Sequence, residues 1–482
     1  MTDARPATAT KRAQPQQNRP WRDLWSVIGL CFAGILLASA PQVMDPLLRH
    51  DDFQALFNDA DGYYPKTLSE GRWLNYVWLL WSPPLPAPAT YILYQSCWAV
   101  YLGTLVHLAF GPGGAVWRKL SVAMIAGLSA PSLLISLWFN TLLPGMMLCA
   151  SYAVLCATLS ERGGRWLLMP FVPLALMGYT MNPLLLLAVC LTRRDAPQSA
   201  QHLAKVLALF VTSFALGMGV IYTLNLHFHG VFGVPMAAWR EPAPAHDLAS
   251  AVSNLARMGD VMGLAARVVS YHSMPLVYGL LGLGCLAVLW AGRRNPWRVI
   301  YPLAGIGIGL ALIAVQAVKS GVVMPPRVLG FAVVFYAVLL GQLSLCLPER
   351  IARAMLAGIA MLFAMFSVLQ HRDMVPWQHE TRAMAEQIGT GPERVFVTGT
   401  YLSLPQVLGA GIQHARGLRL RLEYLTGREV ILCEEMPAAC DVLSPERRGP
   451  EPETGWSVLQ RDAGIELRLS DGALRPAKIP SR

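Results

Sequence analysis

The chain has 482 residues, of which 54% are hydrophobic and 14% charged, with a mean hydropathy of +0.42. A soluble domain carries about a quarter charged residues, so this composition excludes an ordinary soluble protein. Runs of about 20 apolar residues recur along most of the length and predict repeated membrane crossings.

The net charge of +10 is spread unevenly. Residues 372–482 hold 14 basic and 15 acidic side chains, whereas the rest of the chain holds 25 and 14. Such an excess is typical of cytoplasmic loops. No basic patch on a soluble segment predicts nucleic-acid binding.

The N-terminal segment resembles a signal peptide, with basic residues before an apolar run from Trp25 and a small-residue motif at Ala38-Ser39-Ala40. The polar lead is long for a signal, and many apolar runs follow. We therefore predict a cytoplasmic tail over residues 1–24 and an uncleaved first helix.

The apolar runs predict eleven membrane-spanning segments, at residues 25–43, 87–110, 120–137, 141–159, 166–179, 183–191, 206–226, 273–291, 299–318, 328–347 and 355–369. The segments within 166–191 are short, and they are either two short helices or a re-entrant hairpin. Either choice leaves the orientation of later segments unchanged.

The short loops define an orientation. With the N-terminus inside, every short inner loop is basic, while the outer turns at Asn140 and Asn182 have no basic residue. An odd number of crossings places the C-terminal tail outside. The outer segments are a first loop over 44–86, a second over 227–272 with an amphipathic helix predicted over 247–269, and a short loop over 319–327.

The tail, residues 371–482, has the composition of a soluble domain. A helix is predicted over 381–387 and strands over 394–398 and 429–433, so we expect a small α/β domain. Residues 449–455 are predicted to form a Pro/Glu-rich loop. Cys433 and Cys440 would form a disulfide if the tail is extracytoplasmic, or stay reduced otherwise.

The first outer loop carries the densest polar cluster, opening with Asp51-Asp52. Adjacent carboxylates serve as a general base, bind a divalent cation, or cap a surface helix. Carboxylates near a bilayer are costly and usually functional, and a shared site of low dielectric constant raises the pKa of one of them. This favours a proton acceptor over a helix cap.

A long first outer loop opening with Asp51-Asp52, then Gly71-Arg72-Trp73 before the second span and Gly178-Tyr179 at a later outer turn, resembles the Gtr-type O-antigen glucosyltransferases of the GT-C superfamily. One departure is Gln54, where a basic or polar residue is expected soon after the acidic pair. The tail has no diagnostic motif for an acceptor.

The resemblance implies an all-α polytopic, GT-C-like membrane protein of about 11 helices, with its catalytic domain over 25–370 and a periplasmic α/β domain over 371–482. It implies a bacterial inner-membrane enzyme that moves a hexose from a polyprenyl-phosphate donor to a glycan or lipid-linked glycan. Asp51 or Asp52 would accept the acceptor's proton, and a divalent cation there is an open alternative.

The leaving phosphate needs cations on the outer face. The candidates are Lys319, Arg327, Arg240 and Arg72, ranked with Lys319 and Arg327 first, and each can instead extend along the bilayer interface. Tyr63, Tyr64, Trp73 and Tyr179 are candidate sugar- or lipid-binding residues, although such aromatic side chains also form interfacial belts. His227 and His229 form a His-x-His pair that we interpret as ordinary loop histidines.

Two other classes compete with this interpretation. A transporter or flippase would place ionisable residues at the centres of its spans and show two related halves, neither of which is visible. An O-antigen polymerase or ligase would place its large essential loop late in the chain, whereas the acidic loop here is the first.

Overall fold

The computed structural model describes residues 19–322, 324–401, 406–412, 414–443 and 455–470. Most of the predicted N-terminal tail and most of the predicted 449–455 loop lie outside these residues. The first part of the fold contains two long helices separated by short ones: α1 Arg19–Ala38, α2 Ala40–Met44, α3 Asp52–Leu56, α4 Ala60–Tyr63, α5 Pro65–Glu70, α6 Trp73–Trp81 and α7 Ala87–Phe110.

The middle of the chain is helical with short connections: α8 Val116–Gly127, α9 Ala130–Ser136, α10 Phe139–Thr158, α11 Glu161–Trp166, α12 Leu168–Gly178, α13 Asn182–Thr192 and α14 Ala200–His229. The membrane part then ends with α15 Leu248–Val269, α16 Met274–Arg294, α17 Trp297–Ser320, α18 Gly330–Ser344 and α19 Glu349–Ile388. Short 3-10 turns occupy Ala238–Arg240 and Pro326–Leu329.

Eight helices of the described chain are long and apolar enough to cross a membrane, and their apolar segments are Trp21–Ala38, Ala87–Phe110, Phe139–Thr158, Ala200–His229, Met274–Arg294, Trp297–Ser320, Pro326–Ser344 and Glu349–Ile388. The pair α8 and α9 adds a ninth if its 61° bend lies within one span. The predicted short pair corresponds to α12 and α13, with 11 residues each. A multi-pass membrane protein is therefore confirmed, while the count of eleven stays a prediction.

The helices begin and end where local chemistry predicts. The first span breaks at Ser39, whose hydroxyl donates to the Ile35 carbonyl at 2.8 Å just before Pro41. Helix α7 begins after Pro86 and ends at Gly111, which has φ +76°. The predicted amphipathic helix is confirmed as α15, which begins with a capping box between Asp247 and Ser250.

Small residues allow the spans to approach closely. A methyl group at Gly103 of α7 would collide with Ile28 of α1, and methyl groups at Gly305 and Gly309 of α17 would collide with Phe335 and Phe331 of α18. This is the packing expected between membrane helices, where close van der Waals contact replaces hydrophobic burial as the main attraction.

The tail contains a four-stranded sheet of order β2-β1-β4-β3, with β1 Val395–Thr398, β2 Val430–Leu432, β3 Trp456–Arg461 and β4 Gly464–Leu469. Strand β1 pairs parallel with β2 and β4, and β3 pairs antiparallel with β4. Helices α20 Gln406–Ala410 and α21 Arg416–Thr426 complete it. The two predicted strands are confirmed as β1 and β2, and a disulfide joins Cys433 to Cys440.

Helix α19 belongs to both the membrane part and the tail. It runs for 40 residues, so the predicted domain boundary at residue 371 and the predicted helix over 381–387 both lie inside it. The tail is also tied to the first outer loop, because Asp45 forms ion pairs with Arg421 at 2.6 Å and Arg382 at 3.0 Å.

Candidate active site

The two adjacent carboxylates of the first outer loop lie in different environments. Asp51 immediately precedes α3, but its side chain does not cap the helix. It forms an ion pair with Lys66 at 2.8 Å and approaches His50 at 3.4 Å. The pairing, rather than capping, is therefore what occupies the Asp51 carboxylate.

Asp52 points into the protein and is fully buried. Its Oδ1 accepts a 2.9 Å hydrogen bond from the Thr141 backbone N–H, and the Thr141 hydroxyl donates to the Asp51 carbonyl at 2.9 Å. Oδ2 of Asp52 accepts no hydrogen bond from any described residue. Thr141 thus holds the start of α3 against α10 and leaves one carboxyl oxygen of Asp52 open.

These environments separate the pKa values of the pair. Burial alone would raise the pKa of Asp51, but Lys66, Arg72 and His50 hold it well below its ordinary value. Burial raises the pKa of Asp52 to about 7, against the lowering effect of the Thr141 hydrogen bond. A pair with one ionised carboxylate and one poised near neutrality is the pattern of acid–base sites.

Two guanidinium groups lie on the Trp138 ring, with their central carbons 5.5 Å (Arg49) and 4.1 Å (Arg327) from its centroid. Arg49 is buried, and its pKa falls to about 10 because of burial and the charge of Arg327, although the Asp52 charge acts in the opposite direction. Neither arginine has a carboxylate at ion-pair distance in the described part of the chain. Two unneutralised cations beside a carboxyl group form a candidate anion site.

The tail borders this anion site. The Arg49 Nη1 donates to the Gly411 carbonyl, and the His50 and His414 rings meet edge-on with centroids 5.2 Å apart. Burial raises the pKa of Tyr401, and the charge of Arg49 acts in the opposite direction. The C-terminal domain therefore supplies one wall of the site.

Two of the predicted phosphate-binding residues share one carboxylate within the protein. Arg72 pairs with Glu70 at 2.5 Å, and Arg240 pairs with the same carboxylate at 3.0 Å. This triad joins the first and second outer loops. Lys319, ranked first together with Arg327 from the sequence, is exposed at the end of α17, and no described residue pairs with it. Arg327 is thus the predicted cation that lies beside Arg49 and has no carboxylate at ion-pair distance among the described residues.

The predicted aromatic residues divide into two groups. Tyr63 is buried beneath Lys66, with the ammonium nitrogen 5.1 Å from the ring, and Tyr179 lies 5.7 Å from the Arg72 guanidinium. Tyr64 and Trp73 instead pack with the end of α14, where the tilted rings of Tyr64 and His229 have centroids 4.5 Å apart. The first group lines the polar centre, and the second joins the outer loops.

No group of three or more His, Cys, Asp or Glu side chains within the described residues could hold a metal ion. His229 is engaged with the Thr67 hydroxyl at 2.7 Å. A divalent cation at Asp51 and Asp52 stays a prediction without a complete set of protein ligands.

Sequence reasoning missed several residues that the fold brings to the site. Lys66 follows Asp51 by 15 positions in the same loop, and Trp138 and Thr141 lie at the outer turn where α10 begins. The only signal at that turn is a polar Asn-Thr pair between two apolar segments. Arg49 was visible beside the acidic pair, but its contact with Trp138 depends on packing between distant segments.

No protein-family model matches this chain, and no curated protein gives a significant sequence match to it.

Proposed function

We propose that this protein is a glycosyltransferase that moves a hexose from a polyprenyl-phosphate donor to a cell-envelope glycan such as O-antigen. The reaction would take place on the periplasmic face of a bacterial inner membrane. The observation that carries the proposal is a buried carboxyl group with one open oxygen, Asp52, beside Arg49, whose charge interacts with both Asp52 and Arg327.

In this reaction the hydroxyl oxygen of the acceptor attacks the anomeric carbon of the donor sugar. The bond between that carbon and the phosphate oxygen breaks, and its electron pair leaves with the polyprenyl phosphate. Asp52 Oδ2 takes the hydroxyl proton, so Asp52 must be ionised before the step. Asp51 does not react, because its ion pair with Lys66 keeps it charged and positions α3.

The departing phosphate gains negative charge as the bond breaks. Arg49 and Arg327 would offset that charge, since guanidinium groups bind phosphate oxygens through paired hydrogen bonds and these two have no carboxylate partner among the described residues. Trp138 holds both groups in place before the donor arrives. Arg72, Arg240 and Lys319 remain weaker candidates for this role.

The test compares the Asp52→Asn and Arg327→Gln variants with wild type, as purified full-length protein in lipid nanodiscs. Transfer is measured from a polyprenyl-phosphate hexose to cell-envelope glycan, with thermal unfolding as a folding check. We expect Asp52→Asn to lose transfer by roughly a thousandfold or more. Arg327→Gln should lower kcat/KM by about a hundredfold, the value of one charge-assisted hydrogen bond to a phosphate.

The matched control is Asp61→Asn, which removes an exposed carboxylate from the same loop and should keep full transfer. Full activity in Asp52→Asn would exclude that residue as the base. If folded wild-type protein transfers no sugar from any such donor to any envelope acceptor, the glycosyltransferase proposal fails and transport of a lipid-linked substrate becomes the hypothesis to test.

A further inference from the structure

A second polar cluster, which is connected to Asp52 through α10, is almost completely buried. Its members are Asn75 at 1% exposure, Asn182 at 8% and Arg72 at 9%. Each has a polar atom without a hydrogen-bond partner in the described chain, namely Asn75 Oδ1, Asn182 Nδ2 and Arg72 Nη1. Buried polar groups are unfavourable when they are left unpaired, so their accumulation in one place points to a ligand that pairs with them.

The cluster is continuous with the carboxyl group of Asp52. Thr141, which donates to Asp52, lies one helical turn before Gly145 on α10. A methyl group at Gly145 would collide with the Asn182 amide, and one at Gly178 would lie 3.6 Å from the same amide nitrogen. The sequence of contacts therefore runs from Asp52 along one face of α10 to Asn182.

The same contacts return to the acidic pair along the first outer loop. Asn75 donates to the Gly178 carbonyl at 2.9 Å and to the Tyr63 hydroxyl at 3.1 Å. Tyr63 lies under Lys66, which pairs with Asp51. The polar cluster is thus connected to the Asp51-Asp52 pair by two routes, one along α10 and one along the first outer loop.

Each cation of the cluster already has a carboxylate partner. Arg72 is paired with Glu70, and Lys66 is paired with Asp51. What remains open is an amide oxygen, an amide nitrogen and one guanidinium N–H, a mixture of acceptor and donors that matches sugar hydroxyl groups. A ligand carboxylate at the cluster would have to compete with Glu70 for Arg72 and with Asp51 for Lys66, and would lie beside these two acidic side chains.

We propose that Asn75, Asn182 and Arg72 bind hydroxyl groups of the transferred sugar and restrict the donor to uncharged sugars. This inference rests on the proposed function, because it assigns these residues to the donor of that reaction. Recognition by groups that are otherwise unpaired discriminates strongly, since a sugar that cannot satisfy them leaves them buried without partners.

The test uses Asn182→Ala in full-length protein in nanodiscs, because this change removes an amide nitrogen that has no hydrogen-bond partner within the described chain. Binding is measured for three lipids of equal chain length: polyprenyl phosphate, its hexosyl derivative and its hexuronosyl derivative. We expect wild type to bind the hexosyl lipid about tenfold or more tightly than bare polyprenyl phosphate. Asn182→Ala should lose that preference and keep its affinity for the bare lipid.

Two further variants provide a second test and a control. Gly145→Ala displaces the Asn182 amide from the neighbouring helix and should also lose the sugar preference. Thr104→Val removes another buried hydroxyl without a described partner, in α7, and should leave all three affinities unchanged. Thermal unfolding of each variant shows whether it is folded.

An unchanged sugar preference in folded Asn182→Ala and Gly145→Ala would overturn the inference, as would equal affinity for the hexuronosyl lipid. Failure of wild type to bind any polyprenyl phosphate would instead overturn the proposed function. In that case the affinity for methyl hexoside, a sugar without the lipid phosphate, tests the inference. Binding by wild type that is lost in Asn182→Ala would support the cluster as a sugar site. Absence of binding by wild type would reject it.

Discussion

Asp51 and Asp52 are chemically identical neighbours, and the contacts of each assign them different roles. Lys66 keeps Asp51 ionised, while burial and a single backbone hydrogen bond leave Asp52 near the midpoint of its titration at neutral pH. The two residues differ because the Asp51 side chain lies toward the loop, whereas the Asp52 side chain points into the membrane part.

The raised pKa of Asp52 predicts the direction of the pH dependence. A base must be ionised, so transfer should fall as the pH decreases through about 7, which is the folded-state pKa of Asp52. The measurement is kcat/KM between about pH 5 and 9, on either side of that pKa. A profile that is flat across the acidic half of this range would mean that another group takes the proton.

The same shift predicts how stability changes with pH. A carboxyl group whose folded-state pKa lies above its unfolded value favours the folded state only while protonated, so its burial becomes costly as the pH rises from about 4 to about 7. Asp52→Asn should therefore unfold at a higher temperature than wild type at about pH 8, and the difference should vanish near about pH 4. Asp61→Asn, in which an exposed carboxylate is changed, should show no such difference.

At the scale of elements, the tail is joined to the membrane part through Asp45 between Arg421 and Arg382. Burial would raise the pKa of Asp45, but the two arginines lower it. The stabilisation is therefore complete above the ordinary carboxyl pKa and is lost as the pH falls through the lowered value.

Asp45→Asn leaves the buried Arg421 guanidinium without its carboxylate, which should cost about 3 kcal/mol of stability. We expect earlier proteolytic cleavage around the tail and a lower unfolding temperature. Glu429→Gln breaks the exposed ion pair with Arg394 and should change stability by about 0.5 kcal/mol or less. Equal effects of the two variants would mean that the Asp45 contact does not hold the tail in place.

Asn225 joins the first outer loop to α14, as Asp45 joins the membrane part to the tail. It accepts from the Trp73 indole at 2.8 Å and donates to the carbonyls of Leu68 and Gly233. Asn225→Ala should cost about 2 kcal/mol, because these buried groups lose their partner. Thr223→Ala removes only an exposed bond to the Gly219 carbonyl and should be nearly neutral in the same thermal unfolding measurement.

The elements were more predictable than the site. Long apolar runs, Pro86 before α7 and Asp247 before α15 are local signals, and they placed the helices well. The site depends on contacts between segments that lie about 90 positions apart, such as Asp52 and Thr141. It also depends on which of the outer cations already pair with a carboxylate of the protein. Position alone does not show that Arg72 pairs with Glu70 whereas Arg327 packs on Trp138.

At the scale of the whole molecule, the predicted orientation places the acidic loop and the tail on the same face. Single cysteines at Asp61, Asp462 and Arg293, in a chain whose exposed Cys285 is changed to serine, test this arrangement. We expect an impermeant thiol reagent to label the first two in intact cells and Arg293→Cys only after permeabilisation. Labelling of Asp462→Cys only after permeabilisation would require an even number of crossings.

Helix α19 crosses the apolar region and then continues into the domain that forms one wall of the site, with Pro376 inside its 40 residues. At about 1.5 Å per residue it extends for about 60 Å, twice the hydrocarbon thickness of about 30 Å. A change in the tilt of the membrane-spanning half is passed to the C-terminal half across the turn that contains Pro376, and from there to the wall at Gly411. Membrane spans adjust their tilt to bilayer thickness. Lipid chain length would therefore act on the geometry of the candidate site, and not only on the stability of the protein that holds it.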